Sequence, residues 1–533
     1  VVFNIIISIA YIIIVAYLGH RGWKQTQTAS DYMLAGRKTH PYVMAVSYGA
    51  TFISTSAIIG FGGAAALFGF PLLWLAFLNI FVGVFIAFVF FGKRTRRMGV
   101  ALNAHTFPEV LGGRYNSRFV QGFAGIIIFL FIPVYAAAVL IGLSRFAEVY
   151  FNLPYTGGIL VFSLILAIYV ILGGLKAVMY TDAFQGTVMF VMMVILCVLT
   201  YRLLEGIIPA HQALTDIAYM VPQRLVKGGH MGWTAGIKFG TPLWWIVYST
   251  IIYGVGIGVL AQPQLAVRFM TVKSDRELNR ALLLGGIFIL AMTGIAFTVG
   301  SLTNVIFVQK FGKVSVAMAL GNIDKIIPTY VDKVMPPWFG TLFLVGILAA
   351  AMSTLSSQYH VGGTSLGRDF YGKALGLRGS GEIFATKLGV TLTIIATVLW
   401  GLSLPPSIIA IATAFFFGLC ASSFLPMYFL GLYWKGVTKV GAICSMVGGF
   451  CVSFFWLVFI HYKESKALGI CKALFNKVNL VAHYSSTSWL WKLQYVDPNI
   501  VALPTSFVLC IVISLFTRKM SDDHLKVCFK YIK

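Results

Sequence analysis

Charge is what this sequence has least of. Asp, Glu, Lys and Arg make up 11 % of its 533 residues, where a soluble domain carries roughly 25 %. Acids are scarcest, 16 against 40 Lys and Arg. The seven cysteines lack metal-ligand spacing and fall mostly inside apolar runs, so neither a disulfide framework nor a zinc site is implied. The nine histidines form no ligand pair, and His360, at the end of an apolar run, reads as an interfacial residue. No secretory cleavage pattern interrupts the first apolar stretch. The longest polar segments, about 93–118, 203–240, 361–385 and 463–498, are too short to fold alone. Function must therefore sit inside a bundle of membrane helices.

Apolar residues fill the space that charge leaves, at 59 % of the chain. Runs long enough to span a bilayer occur near 1–19, 41–70, 72–92, 119–144, 157–174, 178–201, 242–266, 281–307, 337–360, 386–400, 405–432, 440–462 and 499–516. With thirteen spans, alternate loops share a side. The side holding Arg21, Lys24, Arg37, Lys38, the Lys93–Arg97 cluster, Arg268–Arg280, Arg368–Lys387 and the C-terminus carries most of the cations. That side is expected in the cytoplasm and the N-terminus outside, in a cell membrane. The net charge of +24 is thus a topology signal with some attraction for membrane lipid; no nucleic-acid partner is expected.

Glycine and proline fall in matching places. The second run holds Gly49, Gly60, Gly62 and Gly63, and the seventh holds Gly254, Gly256, Gly258 and Pro263. Interrupted helices at corresponding positions of two halves mark a transporter binding site. Five spans separate them, which fits two five-helix repeats in opposite orientation. The division expected is 1–40 (leading helix and linker), 41–203 (first repeat), 204–241 (external loop), 242–433 (second repeat) and 434–533 (two extra helices and a tail).

Polar groups inside the spans are few. In the ninth run Ala350, Ser353 and Thr354 share a helix face, and Ser353, Ser356 and Ser357 repeat the spacing ~5 Å further on. Two triads of hard oxygens hinged on Ser353 suit a small hard cation; a small-residue face for close helix packing is the alternative. Of the acids, only Asp182 falls where it is expected to be buried among helices, a functional-site signal. Its alternatives are a helix cap shared with Thr181 or a pairing with Lys176. No paired carboxylates, His cluster or Ser/His/Asp arrangement converges in the spans, so an enzyme is not expected.

The chain resembles the sodium/solute symporter family, which includes bacterial proline and pantothenate permeases, sialic acid symporters and sodium/glucose cotransporters. The resemblance runs along essentially the whole length. It is carried by Ser30-Asp31-Tyr32-Met33-Leu34-Ala35-Gly36-Arg37, by Gly173-Gly174-Leu175 with Thr181-Asp182-Ala183-Phe184-Gln185, by Gln262-Pro263 with Arg268-Phe269-Met270, and by Ala350, Ser353-Thr354 and Asp369-Phe370-Tyr371. It implies an all-α polytopic protein with the leucine-transporter inverted repeat, whose first and sixth core helices are broken. It implies a sodium ion, with no organic cofactor, on the carbonyls of Ala50, Ile53 and Ala350 and the hydroxyls of Ser353 and Thr354. Some members bind a second sodium, whose matching positions are Asp182, Ser353, Ser356 and Ser357. The solute would lie among Thr51, Phe52, Ser54, Thr55, Ser56, Tyr135, Trp244, Trp245 and Tyr248, with hydroxyls and free N–H groups holding a carboxylate and aromatics covering an apolar body.

Proline-type members carry an aspartate and a tryptophan where this chain has Phe52 and Ser56, which argues against a narrow proline assignment. Around Pro336-Pro337 the chain is closer to the pantothenate and monocarboxylate branch. The expectation is a sodium-coupled importer of a small organic solute bearing a carboxylate, such as an amino acid, monocarboxylate or pantothenate, acting as a monomer by alternating access. The rivals are a proton-coupled symporter with Asp182 as carrier, and a membrane sensor or channel without coupled transport.

Overall fold

In a computed structural model the described residues are 2–24, 33–172, 175–376, 380–486 and 488–532. The motif residues Ser30, Asp31, Tyr32, Gly173 and Gly174, and the side chain of Lys176, lie outside them. Within the described residues each of the thirteen apolar runs forms helix, two of them with a break. They are α1 (Val2–Lys24), α2 in two segments (Pro41–Phe52 and Ser56–Phe68), α3 (Phe70–Ala101), α4 (Arg118–Phe151), α5 (Tyr155–Leu172) and α6 (Leu175–Leu203). After the segment 204–241 come α7 (Pro242–Ala261), α8 (Asp275–Phe311), α9 (Pro337–Ala374), α10 (Ser380–Ser403), α11 (Ile409–Tyr433), α12 (Lys439–Ile460) and α13 (Asn499–Phe516). Among the described residues ten are long and apolar enough to cross a membrane, or eleven when bent α2 counts as one span. The apolar stretches within α1 and α5, Ile9–Gly22 and Tyr155–Ile168, are shorter.

The helix breaks are not where the glycines are. The two segments of α2 meet at 53°, with Ile53 extended at φ −90°, ψ 104°. The downstream segment runs unbroken through Gly60, Gly62 and Gly63. Those glycines serve close approach: a Cβ on Gly63 would stand 2.1 Å from the Ile323 carbonyl oxygen. In α7 the glycines are likewise helical, and the break falls at Gln262 (φ −72°, ψ 117°), before a short helix Pro263–Phe269. Pro263 cannot donate to the preceding turn, so the chain restarts there. Broken backbone at membrane depth survives only where protein satisfies its polar groups, and both breaks are interior.

Two further expectations change. The ninth helix does not end near residue 360; it continues to Ala374, and His360 is buried within it. Asp182 is not alone either, because Glu109, Asp324, Asp369, Glu464 and Asp497 are also buried, each near one end of the bundle. These acids border polar segments, so burial came from tertiary packing of loops that the hydropathy pattern marks as exposed.

Candidate ion and solute site

A helix leaves its last carbonyls without donors. The first segment of α2 ends at Phe52, so Ala50 and Thr51 lose their usual partners to the break. Helix α9 supplies substitutes. Ser353 Oγ donates to the Ala50 carbonyl at 2.9 Å and is 3.2 Å from the Ala350 carbonyl. Thr354 Oγ1 lies 3.2 Å from the Ala50 oxygen and 3.3 Å from that of Thr51. Ile53, the fifth expected ligand, is the extended residue at the break itself. Ordinary packing of small residues would leave these hydroxyls bonded within their own helix; here they reach across to another helix's orphaned carbonyls. Uncharged oxygens so gathered can replace the hydration shell of a small cation and still release it.

The deeper triad is organised around a residue that sequence reasoning left at the membrane surface. Arg268, counted above with the cations of a cytoplasmic segment, is fully buried. Its Nη2 donates to Asp182 Oδ2 at 3.0 Å and to Ser357 Oγ at 2.6 Å. Its Nε donates to Ser47 Oγ at 3.1 Å, and Ser47 in turn donates to Asp182 Oδ2 at 2.7 Å. The Gln264 carbonyl accepts from Nη1 at 2.6 Å. Thr51 Oγ1 and Ser357 Oγ lie 3.2 Å apart, joining this cluster to the α2 break. Ser356 and Ser357 both donate back to the Ser353 carbonyl, at 3.2 and 3.0 Å. The Pro263 restart aims Arg268 inward, and the quoted Gln262–Met270 motif contained that signal.

The expected solute residues divide. Thr51 joins the Asp182–Arg268 cluster through Ser357, and Thr55 Oγ1 donates to the Val139 carbonyl of α4 at 2.5 Å. Phe52 packs beside Gly83 of α3, which also approaches Val259 of α7. The Ser54 hydroxyl accepts from the Ser56 N–H at 3.1 Å and bonds the Tyr135 hydroxyl. Tyr135 stacks on Phe416 and meets Phe417 edge-on. Among the described residues Ser56 Oγ is buried without a hydrogen-bond partner, as are Gln264 Oε1 and both side-chain polar atoms of Gln358. Trp244, Trp245 and Tyr248 lie elsewhere. Trp244 stacks on Tyr248, packs against Trp245 and contacts Phe239 in the first turns of α7, roughly 27 Å along the helix from Gln262 for Trp244.

At the end of the bundle near residue 105, Arg368 bridges Glu109 (3.0 Å) and Glu382 (2.9 Å). Asp369 Oδ1 accepts from Thr106 at 2.6 Å and from Gln121 at 2.9 Å. A narrow cavity of about 20 Å³ lined by Arg268, Ser357, His360, Thr364, His105 and Thr106 runs between this network and the Asp182–Arg268 cluster. At the other end the segment after α12 covers the bundle. His461 pairs with Glu464, Asp497 N–H donates to Ser249 of α7 at 3.1 Å, and Arg145 pairs with Glu148 at 2.6 Å.

The chain is similar to known proteins along most of its length. The chain is 28 % identical to sodium/proline symporter 2 of Staphylococcus saprophyticus over 489 residues, 89 % of each chain. It is 29 % identical to a sodium/proline symporter of Staphylococcus aureus over 459 residues, 84 % and 85 % of the two. The structure of a Na+-coupled sialic acid symporter superposes with a TM-score of 0.73 at 17 % identity, covering 97 % of this chain and 99 % of that one, and so shares the fold. Residues 32–449 match the model of the sodium:solute symporter family. With broken α2 and α7, a buried hydroxyl cluster between them and that match, the chain belongs to the sodium:solute symporter family, as a sodium-coupled solute transporter and not an enzyme.

Proposed function

We propose that one sodium ion binds where α9 meets the break of α2, on the carbonyls of Ala50, Ile53 and Ala350 and the hydroxyls of Ser353 and Thr354, and drives import of a carboxylate-bearing solute. The observation that carries this is the pair of α9 hydroxyls held on the orphaned α2 carbonyls. An ion there bridges two helices that must separate for inward opening, so it favours one arrangement through differential affinity. The second sodium site, on Asp182, Ser353, Ser356 and Ser357, is conditional. Arg268 Nη2 lies between Asp182 and Ser357, and a cation beside that guanidinium would be repelled, so the second site forms only when Arg268 swings away. The same pairing disfavours Asp182 as a proton carrier.

The solute is proposed to contact Ser54, Ser56 and Tyr135 near the α2 break, with Phe52 against its apolar part. The similarity to sodium/proline symporters makes proline the first solute to test, followed by other amino acids, monocarboxylates and pantothenate. Proteoliposomes containing the full chain should accumulate one of them only under an inward sodium gradient. Accumulation under a pH gradient in sodium-free medium would overturn sodium coupling and reinstate a proton-coupled mechanism.

A further inference from the structure

We propose that the groove where the first turns of α4 and α12 meet the end of α3 binds the phosphate headgroup of an anionic glycerophospholipid. The groove has a volume of about 550 Å³ and its wall includes Asn103, Asn116, Arg118, Lys373 and Lys439. Arg118 and Lys439 are the first residues of α4 and α12 and are exposed. Neither has an ion-pair partner among the described residues.

The one acid in the wall is already neutralised. Glu109 Oε1 is 3.0 Å from Arg368 Nε, and its Oε2 accepts the His105 N–H at 2.7 Å. Lys373 stands a further 3.8 Å from Oε1, partly exposed. Among the described residues, Arg118 and Lys439 are therefore left unpaired around this space, and Lys373 shares the Glu109 carboxylate with Arg368, so the wall keeps a net positive charge. Both helices begin there, Ser117 capping α4 through the Val120 N–H and Thr438 capping α12 through the Gly441 N–H. The positive ends of two helix dipoles add to the side-chain charge.

A soluble anion would use the cations and nothing more. The groove also opens onto an aromatic strip. Phe119, 50 % exposed, lines it, stacks on Phe123 at 5.5 Å, and Phe123 meets Phe450 of α12 edge-on at 5.8 Å. Cations at the helix ends with an apolar strip leading along the same two helices match an amphiphile: phosphate at the interface, acyl chain in the bilayer. Because Gln121 and Glu109 also line the groove and hold Asp369 and Arg368, the headgroup would sit against the ionic network that closes this end of the bundle.

Native mass spectrometry of the delipidated full-length protein tests this. With phosphatidylglycerol added back, one molecule per chain should be retained at least ten-fold more tightly than phosphatidylcholine. The double variant Arg118→Gln with Lys439→Gln should lose that preference at least ten-fold, whereas Arg118→Lys with Lys439→Arg should keep it. Separately, Phe119→Trp should give fluorescence quenched by brominated phosphatidylglycerol and not by brominated phosphatidylcholine, a readout that leaves every cation in place. Equal retention of the two lipids, or an unchanged preference in the Gln variant, overturns the assignment. So does displacement of phosphatidylglycerol by millimolar inorganic phosphate, which would make the groove a site for a free anion.

Discussion

Arg268 and Asp182 form an ion pair at 3.0 Å in which both side chains are essentially inaccessible, 86 positions apart in sequence and contributed by two halves of the molecule. The guanidinium is satisfied by a carbonyl and two serines besides the carboxylate. It therefore locks the short helix after Gln262 to α6, to α2 and to α9 at one point.

Removing one partner should cost much more than removing both. Arg268→Gln leaves Asp182 buried and unpaired, a loss of about 3–5 kcal/mol for a broken buried pair. Asp182→Asn with Arg268→Gln should recover most of it. Thermal unfolding of the four forms in detergent gives the coupling energy; additive losses would mean the pair is not the unit described. Asp182→Asn alone should also lower apparent sodium affinity or stoichiometry if the conditional site is used.

Ser353→Ala should impair sodium dependence most, because this hydroxyl serves the Ala50 and Ala350 carbonyls at once. We expect the sodium concentration for half-maximal uptake to rise about ten-fold, equivalent to ~1.4 kcal/mol, with Thr354→Ala close behind. An unchanged sodium curve in both would move the ion elsewhere.

Ser56 separates solute binding from stability. Its hydroxyl is buried and has no partner among the described residues, a state that costs roughly 1–3 kcal/mol. Ser56→Ala should therefore leave the melting temperature equal or higher while raising the solute KM several-fold. Trp244→Phe, in the aromatic cluster at the far end of α7, should change KM by less than two-fold. The reverse pattern would put the solute beside Trp244.

The segment covering the bundle after α12 should loosen as pH rises. Burial opposes the charged His461 imidazole, but Glu464 and Asp497 outweigh it and raise its pKa. A raised imidazole stabilises below its unfolded pKa and loses that contribution as pH climbs through the folded value. Burial raises Asp497 to about 7 and Asp324 to about 6, so they too favour the protonated, acidic side. Glu464 acts oppositely: burial raises it, His461 pulls it net downward, and its contribution is lost only in strong acid. Between pH 5 and 8, hydrogen exchange of amides 462–497, corrected for intrinsic rate, should therefore speed up, and His461→Gln should remove much of the change.

How much was legible can be read from particular residues. Ser353, Thr354 and Asp182 stood out because hydroxyls and acids are rare in apolar runs, and the structure does gather them near the α2 break. The glycine runs pointed to the right two helices and the wrong positions within them, since Gly63 and Gly258 serve close packing whereas the breaks fall at Ile53–Thr55 and Gln262. Arg268 was misplaced because hydropathy treats a cation near a helix end as interfacial. Asp369 and Glu109 were misplaced for the related reason that α9 continues fourteen residues beyond its apolar run, from 360 to 374.

The sequence by itself determined the solvent, the helices and the donor chemistry. Apolar runs of span length have one stable backbone conformation in lipid, and oxygen donors within them are conspicuous by their scarcity. Only the tertiary structure decided which donors meet. Ser353 and the Ala50 carbonyl lie 303 positions apart, and Arg268 finds Asp182 only because α2, α6, α7 and α9 converge. Local pattern carries no information about that convergence; it is fixed by close packing, where a single Cβ at Gly63 would collide with the neighbouring backbone.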